Sequence, residues 1–253
     1  MYFCGDYWID WSGMESLLKE LEEKHGIRFS QGEKSALLQG DFSALDMHFL
    51  RDVISVAVDE IGLGKSAAAA VLLRNTPIDI VKNNFDEQTI ILAEGLRRVD
   101  ELYKIDTSLE TENFRQLLLT LAEDVRVVLI IIAERAALMR KLNTQGDSEY
   151  RQKIAKETSF LYTPLAHRLG LYTIKTEFED LSLKFTDYET YKTIAKTLNE
   201  TKQHRDAYID AFIGPLKEKL EQQGFKFHIK GRTKSIHSIY NKMQKQNTTV
   251  DHI

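Results

Sequence analysis

The chain has 253 residues, 43% apolar and 28% charged, with a net charge of −4. That length allows one large domain or two small ones with a core of their own, and the composition excludes wholesale disorder and a coiled-coil rod. Cys4 is the only cysteine, which excludes a disulfide scaffold and a thiolate metal cage and fits a reducing cytosol.

Thirteen glycines and three prolines are about half the usual share, which favours long helices over an all-β sandwich. Ser12 and Glu15 form a capping box. Met14, Leu17, Leu18 and Leu21 then fall on one helical face that stops at Gly26. Further helices are predicted from Leu50 to Ile61, ended by Gly62 and Gly64, from Lys65 to Arg74, closed by Pro77, and from Glu87 to Val99. Thr107 and Glu110 make a second capping box. An apolar stripe from Phe114 through Leu121, Val128 and Ile132 predicts a helix to about Leu142. Asn143 to Ser148 reads as a linker. Helices resume from Glu149 to Gly170 and from Tyr172 to Phe185, then in one long stretch from Tyr188 to Gln223, kinked at Gly214-Pro215 and ended by Gly224. Phe225, Phe227 and Ile229 alternate with Lys226, His228 and Lys230, the pattern of a half-buried strand, and Ile236 to Met243 is a last short helix. A single strand needs a sheet, so the chain is expected to stop inside a domain.

Membrane insertion is not expected. No basic region precedes an apolar stretch at the start, and no apolar run is longer than Val127 to Ala133, far short of the ~20 residues a spanning helix needs. The expected compartment is the cytoplasm. Charge is unevenly spread: residues 225–253 carry net +5, which leaves −9 for residues 1–224. A basic end suits an anionic partner, although by charge alone a solvated face is the simpler reading. Gly64-Lys65-Ser66 is not a phosphate-binding loop, because Asp59 stands where the motif needs glycine. The seven histidines show no metal-ligand spacing, and Cys4 has no activating neighbour.

Two stretches resemble the RelA/SpoT family, which makes and degrades the alarmone (p)ppGpp: Tyr162 to Lys175 (YTPLAHRLGLYTIK) with Glu177 to Ser182 (EFEDLS), and Gly231 to Met243 (GRTKSIHSIYNKM). Glu112 to Leu118 and Asp124 to Ile130 add weaker similarity. The resemblance covers roughly Leu50 to Ile253. It implies a mainly α chain: a helical HD-hydrolase-like domain over 1–145, connecting helices over 146–224, and the truncated start of an α/β nucleotidyltransferase-like synthetase domain over 225–253. The family hydrolase holds manganese with an early His, a His-Asp pair and a later Asp. Here those positions fall on Asp52, on Arg74 and Asn75, and on Glu134; the acidic pair falls on Ile78 and Asp79, and a family Asn on Leu138. A guanidinium stays charged at neutral pH and repels a cation. The resemblance therefore implies no manganese and no (p)ppGpp hydrolysis, with Asp52 and Glu134 expected to pair with Arg74.

In the synthetase motif, Arg232 matches an arginine that packs on adenine, Lys234 and Lys242 match phosphate-binding lysines, and Ser238 matches a phosphate-contacting hydroxyl. Ser235 and His237 depart from the family's frequent His and Tyr. His167, Arg168, Glu177, Glu179 and Asp180 read as packing and ion-pair residues rather than ligands. The family's magnesium-binding Asp would fall just past Ile253. The implied function is the N-terminal portion of a (p)ppGpp synthetase that transfers pyrophosphate from ATP to the 3′-hydroxyl of GDP or GTP. Magnesium is the cofactor of the full-length enzyme, none is expected in this portion, and the portion itself is expected to be inactive. Its partners are ATP and GDP or GTP, with the family's further C-terminal domains as the route to a ribosome, and neither DNA nor membrane. The alternative is a non-catalytic regulatory module that binds a nucleotide or a partner.

Overall fold

A computed structural model describes residues 11–38, 47–105, 124–144, 147–229, 231 and 233–252. The chain divides into two compact units, Met1–Gln145 and Gly146–Ile253. Among the described residues all regular structure is helical, and no described helix is long and apolar enough to cross a membrane.

In the first unit, α1 (Trp11–His25) buries Met14, Leu17, Leu18 and Leu21. Gly26 takes φ +65°, which lets its N–H and that of Ile27 return to the carbonyls of Glu22 and Leu21. The helix already includes Ser12, so the N-cap expected there is displaced. A short helix, α2 (Gln31–Leu37), carries an unforeseen capping box: Ser30 Oγ accepts from Glu33 N–H, and the Glu33 carboxylate accepts from Ser30 N–H at 2.6 Å. Helix α3 (Met47–Ser55) runs into a π-helical turn (Val56–Glu60) and packs on α7 (Val125–Thr144). Helix α4 (Lys65–Leu72) buries four consecutive alanines, Ala67 to Ala70, whose small side chains suit close packing on α6 (Glu87–Ile105). Pro77 opens α5 (Ile78–Asn84) as well as closing the preceding segment. Helices α6 and α7 meet at Gly95, where an added Cβ would lie 2.5 Å from a Val127 methyl. The core gathers Leu72, Leu73, Leu92, Leu96, Ile130, Ile132 and Met139, all fully buried. The capping box at Thr107 and Glu110, and the start of the apolar stripe at Phe114, lie outside the described residues, as does Cys4.

In the second unit, Asp147 caps α8 (Ser148–Glu157) by accepting from the N–H groups of Glu149 and Tyr150. A π-helical turn (Thr158–Tyr162) leads into α9 (Thr163–Arg168). The central element is α10 (Tyr172–Thr186), which packs on α8, on α9, on α11 (Tyr188–Glu200) and on α13 (Ile236–Gln246), with Phe178 fully buried.

Two expectations fail in this unit. The long helix breaks at Thr201, not at Gly214-Pro215, which pass through the interior of α12 (Lys202–Gln222). Three threonines lead up to the break. The hydroxyls of Thr193, Thr197 and Thr201 donate to the carbonyls of Glu189, Thr193 and Thr197 at 2.9, 3.2 and 2.8 Å. Such back-bonding competes with the helical ladder and bends it. The expected strand at Phe225 to Lys230 also fails: Phe225 to Ile229 carry no regular structure. Alternation alone cannot make a strand without a neighbour to share its ladder, and the described residues supply none. A 3₁₀ turn (Val250–His252) follows α13.

Candidate functional sites: a guanidinium cluster and a basic cavity

The turn that follows α4 carries Arg74 into a cluster within the first unit. Its Nε donates to Asp100 Oδ2 at 2.7 Å and its Nη2 to Asp100 Oδ1 at 2.5 Å, a bidentate fork onto α6. Its Nη1 donates to Glu134 Oε1 on α7. The three side chains are only 22, 34 and 19% exposed. Arg97 of α6 braces the same turn by donating to the carbonyls of Leu73 and Thr76. Burial works against the charge on Arg74, yet Glu134 and Asp100 together raise its pKa above the ordinary arginine value. Burial likewise pushes the Glu134 carboxyl up, and the charge of Arg74 pulls it back.

Of the residues expected here, Arg74 and Glu134 are brought together. Asp52 is exposed on α3 and is no partner to Arg74, which corrects that expectation; its place is taken by Asp100 of α6. Asn75 and Asp79 are exposed, and Ile78 and Leu138 are half-buried. Asp100 was the residue missed. Its only signal was position, one turn after Arg97 on a helix facing α4. This donor set does not fit a divalent cation: the two carboxylates already accept from a guanidinium that cannot leave. Among the described residues no three His, Cys, Asp or Glu side chains converge as metal ligands.

The second site lies within the second unit, around the start of α13. Ser235 is the N-cap, accepting from Ser238 N–H at 3.2 Å and donating its hydroxyl proton to Ser238 Oγ at 2.9 Å. Asp180 of α10 reaches the same helix start, accepting from His237 N–H at 2.8 Å; burial pushes its carboxyl up. Glu179 pairs with Lys175 at 2.7 Å and lies 3.6 Å from His237 Nδ1. Burial alone would raise the Glu179 carboxyl, but His237 and Lys175 bring it below the usual range. Glu179 and Asp180 thus bind α13 to α10.

Two cavities flank the Thr233-Lys234 segment. One, of about 560 Å³, is lined by His167, Lys175, Asp180, Lys234 and Ser238 among others. The other, of about 450 Å³, is lined by Leu198, Arg205, Lys234, Ile239, Lys242 and Val250, together with Thr197 and Thr201. Lys234 faces both, while Ser238 faces the first and Lys242 the second. Arg232 lies outside the described residues.

Residues 45–172 match the family described as HD domain. The chain belongs to the HD-domain family, on its RelA/SpoT branch. It is 34% identical over 182 residues to the GTP pyrophosphokinase of Escherichia coli K12, an alignment that covers 69% of this chain and 24% of that protein. It is 32% identical over 208 residues to the guanosine-3′,5′-bis(diphosphate) 3′-pyrophosphohydrolase of Aquifex aeolicus, covering 79% of this chain and 29% of the relative. The protein of the same name from Haemophilus influenzae is 31% identical over 215 residues, covering 81% and 32%. This HD-domain chain therefore spans about a quarter to a third of the length of the curated relatives it matches. The matched region contains Arg74, Asp100 and Glu134.

Proposed function

We propose that this HD-domain chain is the N-terminal portion of a (p)ppGpp synthetase whose hydrolase site has become a fixed structural ion-pair cluster. One observation carries the reading: the Arg74 guanidinium is forked onto Asp100 and bonded to Glu134, at the place where the RelA/SpoT resemblance calls for a metal-binding histidine. A metal-activated water needs an open coordination position on a cation, and a guanidinium offers none. The relatives named GTP pyrophosphokinase support a synthetase. So does the location of Lys234, Ser238 and Lys242 around the two cavities. In this reading those three residues and Arg232 bind ATP, and the whole protein passes its pyrophosphate to the 3′-hydroxyl of GDP or GTP with magnesium. Phosphoryl transfer of that kind rests on positioning and charge neutralisation, which a basic cavity beside a capped helix start can supply.

The test has two arms. Incubated with manganese and ppGpp, the chain should release no pyrophosphate above the no-enzyme rate, and calorimetry with MgATP should give a saturable signal. Manganese-dependent release of pyrophosphate would overturn the first half of the reading, and absence of ATP binding the second.

A further inference from the structure

We propose that Arg205 is an anion-binding residue of the cavity, holding the phosphate chain of a nucleoside triphosphate alongside Lys234 and Lys242. The proposal rests on the reading that this cavity takes ATP, and it adds a residue that none of the motifs marks.

Three features assign it. The first is the break at Thr201. Had residues 188–222 formed one helix, its register would have continued unbroken; instead the chain restarts at Lys202, and the first turn of α12 lines the same cavity as Thr197 and Leu198 at the end of α11. The second is orientation. Thr201 commits its hydroxyl proton to the Thr197 carbonyl at 2.8 Å and so presents a lone pair, which accepts from Arg205 Nη1 at 2.6 Å. The guanidinium is thereby held before any ligand arrives, which cuts the ordering cost of binding. The third is demand. Arg205 Nε is buried without a hydrogen-bond partner, and no carboxylate among the described residues pairs with this arginine. A buried donor left unsatisfied is costly. So is the placing of two like charges, Arg205 and Lys234, in the lining of one cavity. An entering phosphate oxygen relieves both costs, and a guanidinium can take two such oxygens at once. Leu198, Ile239 and Val250 leave an apolar wall for the less polar part of the ligand.

The experiment measures binding of MgATP and of inorganic triphosphate by calorimetry to the full 253-residue chain and to Arg205→Gln, Arg205→Lys and Lys234→Ala. Arg205→Gln should weaken both probes about tenfold or more, the size of a lost charge-assisted pair. Arg205→Lys should recover part of that loss, and Lys234→Ala should weaken binding as well. The unliganded melting temperature of Arg205→Gln should be no lower than the parent's, because the side chain makes a single hydrogen bond to the protein and leaves a buried donor unpaired. If Arg205→Gln binds both probes like the parent while Lys234→Ala does not, the assignment of Arg205 is wrong and the ATP reading stands. If Arg205→Gln lowers the melting temperature and leaves affinity unchanged, Arg205 is structural and the assignment is likewise wrong. If the parent binds neither probe, the ATP reading itself falls and takes this inference with it.

Discussion

Arg74 gives the first unit an internal cation that both of its long helices share. Asp100 comes from α6 and Glu134 from α7, so one guanidinium ties α6, α7 and the turn after α4 at a single point. Removing one partner of a buried pair costs more than the pair itself is worth, because the remaining charge is stranded. Arg74→Ala should therefore destabilise the protein by about 3 kcal/mol in urea unfolding, near the low end for such losses because Asp100 stays partly wetted. Replacing all three residues together, Arg74→Met with Asp100→Leu and Glu134→Met, should recover most of that loss. A cost below about 1 kcal/mol for the single change would place the cluster among ordinary surface pairs. The sequence exposed half of this site. Arg74 and Glu134 stood out because each replaces a residue type that the resemblance demands. Asp100 replaces nothing recognisable, and only the packing of α6 on α4 shows that it completes the fork.

At the level of elements, the sequence marked the long helices α1, α6 and α7 by their apolar periodicity, and the shorter α3 and α4 by the glycines and proline that bound them. The short helices α2 and α5 escaped because seven residues make less than two full turns, too few for a stripe, although Ser30 and Glu33 spelled a capping box. The break between α11 and α12 escaped for a different reason. Gly214-Pro215, the usual breakers, lie inside α12, while Thr193, Thr197 and Thr201 at four-residue spacing back-bond up to the break. Caps also set how the elements respond to acid. At the start of α7, Asp124 accepts from Arg126 N–H at 2.9 Å and pairs with its guanidinium at 2.7 Å. The hydrogen bonds from Arg126, working against burial, hold the Asp124 carboxyl below the usual carboxylate range. A depressed folded-state pKa stabilises the fold above the unfolded-state value, roughly 3.9 for Asp, and that contribution disappears as pH falls through the folded-state value. Asp124→Asn should accordingly be less stable than the parent above about pH 4.5, with the gap closing towards pH 3. Urea titrations across that range would show a constant gap if the cap's charge played no part.

For the whole molecule, helical character and a division near residue 145 organise the chain, and each unit carries its own site: the ion-pair cluster in the first and the basic cavities in the second. The expectation of a strand at the basic end came from alternation read without a partner, and a partner is what alternation cannot supply. Folding of the first unit should be independent of divalent metal. Extended dialysis against EDTA should leave its melting temperature unchanged, since a stabilising ligand shifts stability only by mass action; a fall of several degrees, reversed by manganese, would show that an ion still contributes.

The tethered guanidinium has one more consequence. A coordination site takes whichever metal is most available or binds hardest, and copper or zinc outcompetes manganese for most nitrogen and oxygen donors. A cation fixed by a covalent bond to residue 74 cannot be exchanged, scavenged or displaced by the wrong ion. The cluster around Arg74 thus draws its positive charge from the polypeptide itself, and not from the metal supply of the cell.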